Sequence, residues 1–325
     1  HCENMKIKLV TPTPKAILDG NRVTARRWAR ILRQLGHRAT VGRHFDGDFC
    51  DLLIALHAVK SFDSIRRFHE KHPTKPLVVV LTGTDLYRDL HHRPEVRESF
   101  QLATYVVALQ KQALKELSAS VRKKTFVIYQ SAEPVQGNPS PPKRSFRVCV
   151  VGNLRPEKDP FRAALASRRL PPSSRIKILQ VGEALSPGMK NRALEENRRN
   201  PRYRWMGALS YGKTRRLVAG SHLVALTSRM EGSSNVLSEA LISSVPVVAS
   251  QIPGLMGTLG EKYPGYFPLG DTRALARQLR KAEVDEAFYQ DLQAHCARLS
   301  SLVHPQREQE SWRKLLEKIS SENSP

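Results

Sequence analysis

Short apolar runs recur along the chain and alternate with longer stretches whose apolar residues return every three or four positions. The runs Lys6–Val10, Leu52–Leu56, Leu77–Thr82, Tyr105–Leu109 and Thr125–Tyr129 are too short for buried helices and predict strands, with amphipathic helices between several of them. The segment Glu133-Pro-Val-Gln-Gly-Asn-Pro-Ser-Pro-Pro-Lys-Arg144 then interrupts the pattern, because its prolines and glycine extend neither a helix nor a central strand. Beyond it the alternation restarts at Phe146–Gly152 and continues through Arg175–Val181, His222–Thr227 and Val245–Ser250. Alternation of this kind predicts an α/β fold, with one parallel sheet covered by helices on both faces in each half. The expected boundaries are a first domain over 5–135, a linker over 136–145, a second domain over 146–303 and a terminal segment over 304–325. That segment holds a helix of about Pro305 to Ile319, amphipathic through Trp312, Leu315, Leu316 and Ile319.

Ligands of open α/β sheets lie beyond the carboxyl ends of the strands, which directs attention to the loops there. Glu231-Gly-Ser-Ser-Asn-Val-Leu-Ser-Glu239 follows the predicted strand His222–Thr227 and opens a short helix over Val236–Leu241, with Ser234 or Asn235 as its cap. The first-turn N–H groups of that helix have no partner within it, and its dipole favours a phosphate. Glu231 before the helix and Glu239 about one turn inside it would meet the sugar and the ribose of a bound nucleotide sugar, since a carboxylate accepts two hydrogen bonds from neighbouring hydroxyls. The competing reading is a strand–loop–helix crossover with two solvated glutamates. In the same half, Val151-Gly-Asn-Leu-Arg-Pro-Glu-Lys158 follows the first strand; Gly152 permits a tight turn, and Arg155 and Lys158 can reach a diphosphate. The alternative for these two is a pair of surface cations beside Pro156.

The flanks shift the balance between these readings. A strand, Ser228-Arg-Met-Glu-Gly232, a small polar pair, Glu239-Ala-Leu241 and Val245-Pro-Val-Val-Ala-Ser250 together resemble the donor-site signature of the family-4 glycosyltransferases, which have the GT-B fold. The resemblance implies two Rossmann-like domains facing a central cleft, with the terminal helix packed back on the first. It also implies that Arg155 and Lys158 stabilise a departing nucleoside diphosphate, that Glu231 acts at the sugar, and that Gly232, Ser233, Ser234, Asn235, Val236 and Glu239 bind the donor. Trp205-Met-Gly207 falls where the family contacts the nucleobase, although a core role for Trp205 explains the residue equally; Arg229 touches the donor or pairs with Glu231. Gly254 and Gly257 would shape a further donor-side loop or form packing turns, and Leu255-Met-Gly-Thr-Leu259 departs from the family's glycine-rich, Glu-containing loop. Such enzymes usually retain anomeric configuration and need no metal or other cofactor, and no Asp-x-Asp motif at a strand end argues for a metal here.

The first half offers loops for an acceptor. Gly20-Asn21-Arg22 lies between the first strand and a helix start, an anion-binding pattern reinforced by Lys15 and Arg26. His57 ends one strand, and Thr82-Gly-Thr-Asp85 ends the next, with Tyr87 and Arg88 following. Asp85 binds an acceptor or caps the helix that follows; Gln130 and Ser131 end the last strand of this half.

Read in order, GNRVTARRWARILRQLGH, LIALHA, LTGTDLYRDL, VIYQSAEP, VGNLRPEKDPFRAAL, the Glu231–Glu239 segment and YPGYFPLGD are similar to the selenosugar synthases of selenoneine biosynthesis, a branch of the family-4 enzymes. These join a UDP-sugar, typically UDP-N-acetylglucosamine, to selenium from selenophosphate, giving a selenosugar, UDP and phosphate. The acceptor residues this implies are Lys15, Gly20, Asn21, Arg22, His57, Thr84, Asp85, Arg88 and Gln130, with Lys60 and Arg26 as further cations. Selenium is a good nucleophile with little need of deprotonation, so no strong general base is expected.

Composition narrows the alternatives. The 325 residues suffice for two cores, and 40% hydrophobic with 26% charged residues suit a soluble protein. No apolar run reaches membrane-span length, and Met5-Lys-Ile-Lys-Leu-Val10 is no signal peptide; His1–Asn4 before Met5 look like an expression remnant. Cys2, Cys50, Cys149 and Cys296 are scattered without a CxxC pair, which fits a cytoplasmic protein without disulfides. A formal charge of +23 favours anionic ligands, but no nucleic-acid-binding pattern accompanies it. Two rival functions remain: transfer from a UDP-sugar to a lipid-linked or other small acceptor, and a non-catalytic polyanion-binding protein. For the first, the basic helix Arg26-Arg-Trp-Ala-Arg-Ile-Leu-Arg33 would lie on an anionic bilayer; its Val23, Trp28, Ile31, Leu32 and Leu35 more simply face a sheet.

Overall fold

A computed structural model describes residues 4–12, 19–137 and 139–322. These fall into two compact units. One comprises the chain up to Gln130, the short segment Glu231–Ser233 and the stretch from Pro305 onward; the other comprises Ser131–Met230 and Ser234–His304.

The first unit is built on a six-stranded sheet of β1 (Lys6–Val10), β2 (Arg38–Gly42), β3 (Leu52–Leu56), β4 (Leu77–Val80), β5 (Tyr105–Ala108) and β6 (Thr125–Val127), in the order β2-β1-β3-β4-β5-β6. Every pairing is parallel. The period-two alternation of a strand sends Leu52, Ile54 and Leu56 into the core on one face, and Leu53 and Ala55 into the core on the other. Helix Gly20–Gln34 buries Trp28, Ile31 and Leu32 against the first of these cores, so the apolar stripe a bilayer would need is inside the protein.

Helix Pro305–Glu322 packs on the same face. Trp312 meets Trp28 edge to face with ring centroids 4.8 Å apart, and Leu315, Leu316 and Ile319 join the core. Between the two helices lies a buried ion pair. Glu308 accepts Arg27 Nε at 2.8 Å and Trp28 Nε1 at 2.6 Å. Removing one partner strands the other charge away from water, so Glu308→Ala is expected to cost about 3–5 kcal/mol. Urea denaturation measures this directly; a loss below about 1 kcal/mol would mean that solvent replaces the carboxylate.

The second unit carries β7 (Phe146–Val151), β8 (Ile176–Val181), β9 (Tyr203–Trp205), β10 (Leu223–Leu226), β11 (Val247–Ser250) and β12 (Tyr266–Phe267), ordered β12-β11-β10-β7-β8-β9 and again wholly parallel. Apolar strands such as β7, β10 and β11 form where their runs predict them, with β10 and β11 buried at every residue. Strands β2, β9 and β12 do not follow from the hydrophobic pattern. β2 alternates exposed and buried residues at the sheet edge, and β9 and β12 are three and two residues long. The stretch holding Gly254 and Gly257 is no loop: it is the helix Pro253–Leu259, opened by a proline at its first position.

Candidate active site

In the second unit the loops after β7, β8 and β10 share one end of the sheet. Gly152 leaves β7 so close to Gly182, which leaves β8, that a Cβ on Gly182 would stand 1.9 Å from the Gly152 carbonyl oxygen. The two loops then run on together through Leu154 N–H to Glu183 O at 2.8 Å. The next residues form a single turn of 3-10 helix, Pro156–Lys158, with Arg155 extended before it and Asp159 left-handed after it (φ 42°, ψ 54°). This turn is fastened to the end of β10. Thr227 Oγ1 donates to the carbonyls of Lys158 and Asp159 at 3.1 and 3.0 Å, and Arg229 N–H donates to Glu157 O at 2.8 Å. The Lys158 stem runs beside Gly152, its Cγ and Cδ each 3.5 Å from where a Cβ on that glycine would be. Arg155 and Lys158 are half-buried, on a turn held at three successive carbonyls.

The helix Asn235–Ile242 opens one residue earlier than expected, and Ser234 caps it by accepting Leu237 N–H at 3.3 Å. Glu239 is buried on this helix, while Asn235 and Val236 are half-buried at its first turn. Trp205 is the last residue of β9 and packs on two apolar clusters. Its indole N–H donates to Gly182 O at 2.9 Å and its backbone N–H to Asn197 at 2.7 Å. Trp205 therefore holds the β8 and β9 loops together, the core role weighed for it. Arg229 is exposed and lies 4.0 Å from Asp159 rather than in an ion pair with Glu231.

In the first unit, His57, Thr84 and Asp85 come together at the carboxyl ends of the neighbouring strands β3 and β4. Asp85 is fully buried. One of its oxygens accepts Thr82 and Gly83 N–H, both at 2.9 Å, and the other accepts Ala58 N–H at 3.0 Å. Its carboxylate ties the two loops together, and the cap position of the short helix Thr84–Tyr87 belongs to Gly83. His57 is buried in the left-handed region, at φ 75°. Its Nδ1 accepts Lys60 N–H at 3.3 Å, which puts the ring hydrogen on Nε2, 2.8 Å from Thr84 Oγ1. Burial holds His57 below the usual histidine value of 6.5, against the opposing pull of Asp85 at 3.9 Å.

Glu231–Ser233 belongs to this same unit. Glu231 is buried, and the backbone of Gly232 lies directly on that of Thr82 and Gly83: a Cβ on Gly232 would meet the Thr82 carbonyl carbon at 2.5 Å, and one on Gly83 would meet Gly232 N at 2.7 Å. Glycine is required on both sides of this contact.

Lys60 and Arg88 join this group through their backbone, Lys60 N–H donating to His57 Nδ1 at 3.3 Å and Arg88 N–H to Thr84 O at 3.1 Å. Gly20, Asn21 and Arg22 are the first turn of the helix rather than a loop before it, and Asp19 caps that helix by accepting Arg22 N–H at 2.9 Å. That bond takes one of the first-turn backbone donors assigned to an anion and leaves the Arg22 side chain out of the cap. Arg88 is bidentate to Asp89 at 2.8 and 3.3 Å. Gln130 is buried and donates its amide to Thr24 Oγ1. Lys15 lies outside the described residues. Sequence reasoning missed Asp19, Gly83, Asp89, Asp159 and Thr227. Of these only Asp19 carried a readable signal, an Asp directly before a helical repeat.

Burial also holds His37 and His222 below 6.5, and the Nδ1 of each accepts a backbone N–H. The unfolded chain binds protons at these sites near pH 6.5 while the folded chain resists them, so their contribution is complete above that value and is lost as pH falls below it. The urea midpoint is expected to drop between about pH 7 and pH 5.5, and His57→Asn, which tolerates the left-handed backbone, should reduce the drop. An unchanged drop would remove His57 from this account.

Among the described residues no helix is long and apolar enough to cross a membrane. A search of curated proteins finds no match. Among solved structures, the UDP-glucose complex of Anabaena Alr3699/HepE is similar over 98% of this chain and 100% of that one, with a TM-score of 0.74 at 20% identity. Sucrose-phosphate synthase (tll1590) from Thermosynechococcus elongatus gives 0.78 at 15% identity, over 98% and 99% of the two chains. A glycosyltransferase from Rickettsia africae ESF-5 gives 0.76 at 14%, over 99% and 100%. Likeness at these identities establishes the fold, which is GT-B. The family described as glycosyl transferases group 1 matches residues 134–298, just over half of the chain and the part that holds the Arg155–Asp159 turn and the Ser234-capped helix; this protein belongs to that family.

Proposed function

We propose that this glycosyltransferase transfers N-acetylglucosamine from its UDP conjugate to selenium supplied as selenophosphate. The observation that carries the donor half of this reading is the turn bearing Arg155 and Lys158 at the carboxyl end of the sheet, pinned at the carbonyls of residues 157, 158 and 159. The UDP-glucose held by the Anabaena relative supports a UDP-sugar donor. The acceptor half rests on the ordered series of motifs that resembles the selenosugar synthases of the family-4 branch.

In the reaction a selenium lone pair forms the bond to the anomeric carbon. The bond from that carbon to the diphosphate oxygen breaks, and its electron pair leaves with UDP. Arg155 and Lys158 stabilise that charge as it develops; Glu231 positions the sugar and Glu239 the ribose. The P–Se bond is cleaved by water, releasing phosphate. Arg22 and His57 are assigned to the selenophosphate, His57 as the neutral ring its burial favours. Neither step calls for a strong base.

UDP release with selenophosphate, with phosphate and with no acceptor tests the assignment. Release that depends on selenophosphate and disappears in Glu231→Ala supports it. Equal release in all three conditions identifies donor hydrolysis and rejects selenophosphate as the acceptor.

A further inference from the structure

The turn that presents Lys158 is closed by a residue that no donor-site signature singles out. Asp159 adopts a left-handed conformation (φ 42°, ψ 54°), a region that Asp enters more readily than most side chains. Its N–H closes the 3-10 turn on Pro156 O at 3.1 Å, and its carbonyl accepts both Thr227 Oγ1 at 3.0 Å and Arg162 N–H at 3.1 Å. The carboxylate is largely buried. It receives Arg162 Nε at 2.8 Å, and Arg162 in turn donates to Thr272 Oγ1 at 2.7 Å. The guanidinium of Arg229 lies 4.0 Å from the same carboxylate oxygen.

Each of these contacts acts on the residue before it. The left-handed step reverses the chain immediately after Lys158, and the Arg162 bond holds the reversal in place. The stem of Lys158 is thereby left beside Gly152. We infer that Asp159 is a positioning residue for transfer: it sets the Lys158 ammonium for the departing diphosphate through the left-handed turn and does not itself touch the substrate. This rests on the proposed donor role of Lys158.

Three substitutions separate the turn from the charge. Asp159→Asn keeps a residue that tolerates the left-handed region, Asp159→Gly keeps the turn without a side chain, and Asp159→Ala opposes the turn. UDP release from UDP-N-acetylglucosamine with selenophosphate, UDP affinity by calorimetry and the urea midpoint are measured for each, with Lys158→Ala alongside. The expected result is a kcat at least about ten-fold lower in Asp159→Ala, with the donor KM changed by less than about three-fold. Asp159→Asn should stay within about three-fold of the parent kcat, and Asp159→Gly should fall between the two.

Parent-like kcat in Asp159→Ala, with Lys158→Ala strongly impaired, would overturn the inference and leave the donor reading standing. Equal impairment of Asn and Ala would also overturn it, because the charge and not the turn would then carry the effect. Parent-like turnover in Lys158→Ala would overturn both. A fall in the urea midpoint of Asp159→Ala with kcat unchanged assigns Asp159 to stability alone and rejects it as a positioning residue.

Discussion

Lys158→Ala and Arg155→Ala are each expected to lower the rate of UDP formation by about 100- to 1000-fold, the loss typical of removing one preorganised donor to a developing anion. The backbone of the turn is held by bonds that neither side chain makes. Thr227 and Arg229 hold it through the carbonyls of residues 157 to 159, and those bonds survive truncation. The urea midpoint should therefore stay close to that of the parent protein. Because charge on the diphosphate grows as the bond to the sugar breaks, the loss should fall mainly on kcat, with a smaller rise in the donor KM. Losses confined to KM would make the two cations ground-state binders only, and unaltered kinetics in both variants would remove the donor site from this turn.

Gly232→Ala and Gly83→Ala should each damage the contact that holds Glu231–Ser233 on the Thr82–Asp85 loop. The clash is with backbone, at 2.5 Å from the Thr82 carbonyl carbon in one case and 2.7 Å from Gly232 N in the other, so no side chain can swing aside. Gly83 also has φ 137°, which an alanine resists. Overpacking of this kind costs about 1–3 kcal/mol, and the displacement falls on the residues flanking Glu231. A shift of about 1 Å in a positioning group can cost 100-fold in rate, so turnover should fall further than stability. Gly212→Ala is the control: nothing lies within 4 Å of its added methyl, and it stands in the helix Tyr211–Ala219, where alanine is favoured. Parent-like activity in Gly232→Ala would show that the segment relaxes without consequence for Glu231.

The legibility of this chain follows from what each signal depends on. Strands such as β3, β4 and β10 are buried on both faces and appear as unbroken apolar runs, whereas edge strand β2 reads Arg-Ala-Thr-Val-Gly, with only Ala39 buried. The cap of the donor-side helix was readable because Ser234 acts within three residues of itself. The role of Asp85 was not. Its partners include Ala58, 27 residues away, and a motif that ends a strand looks the same whether its carboxylate faces a ligand or three backbone N–H groups. The bonds of Arg88 to Asp89 and of Gln130 to Thr24 were unreadable for a related reason, since charge and strand position do not reveal them. Gly254 and Gly257 suggested a loop because glycine disfavours helices, but Pro253 begins one there and Leu255 and Leu259 anchor it in the core.

Mass spectrometry of the sugar product after anoxic incubation with UDP-N-acetylglucosamine and fresh selenophosphate tests the central claim most directly. The account predicts an N-acetylglucosamine species bearing the isotope pattern of selenium, formed in step with UDP and absent from Glu231→Ala and Lys158→Ala. A folded, UDP-binding protein that yields UDP and free sugar but no selenium-bearing product would contradict it.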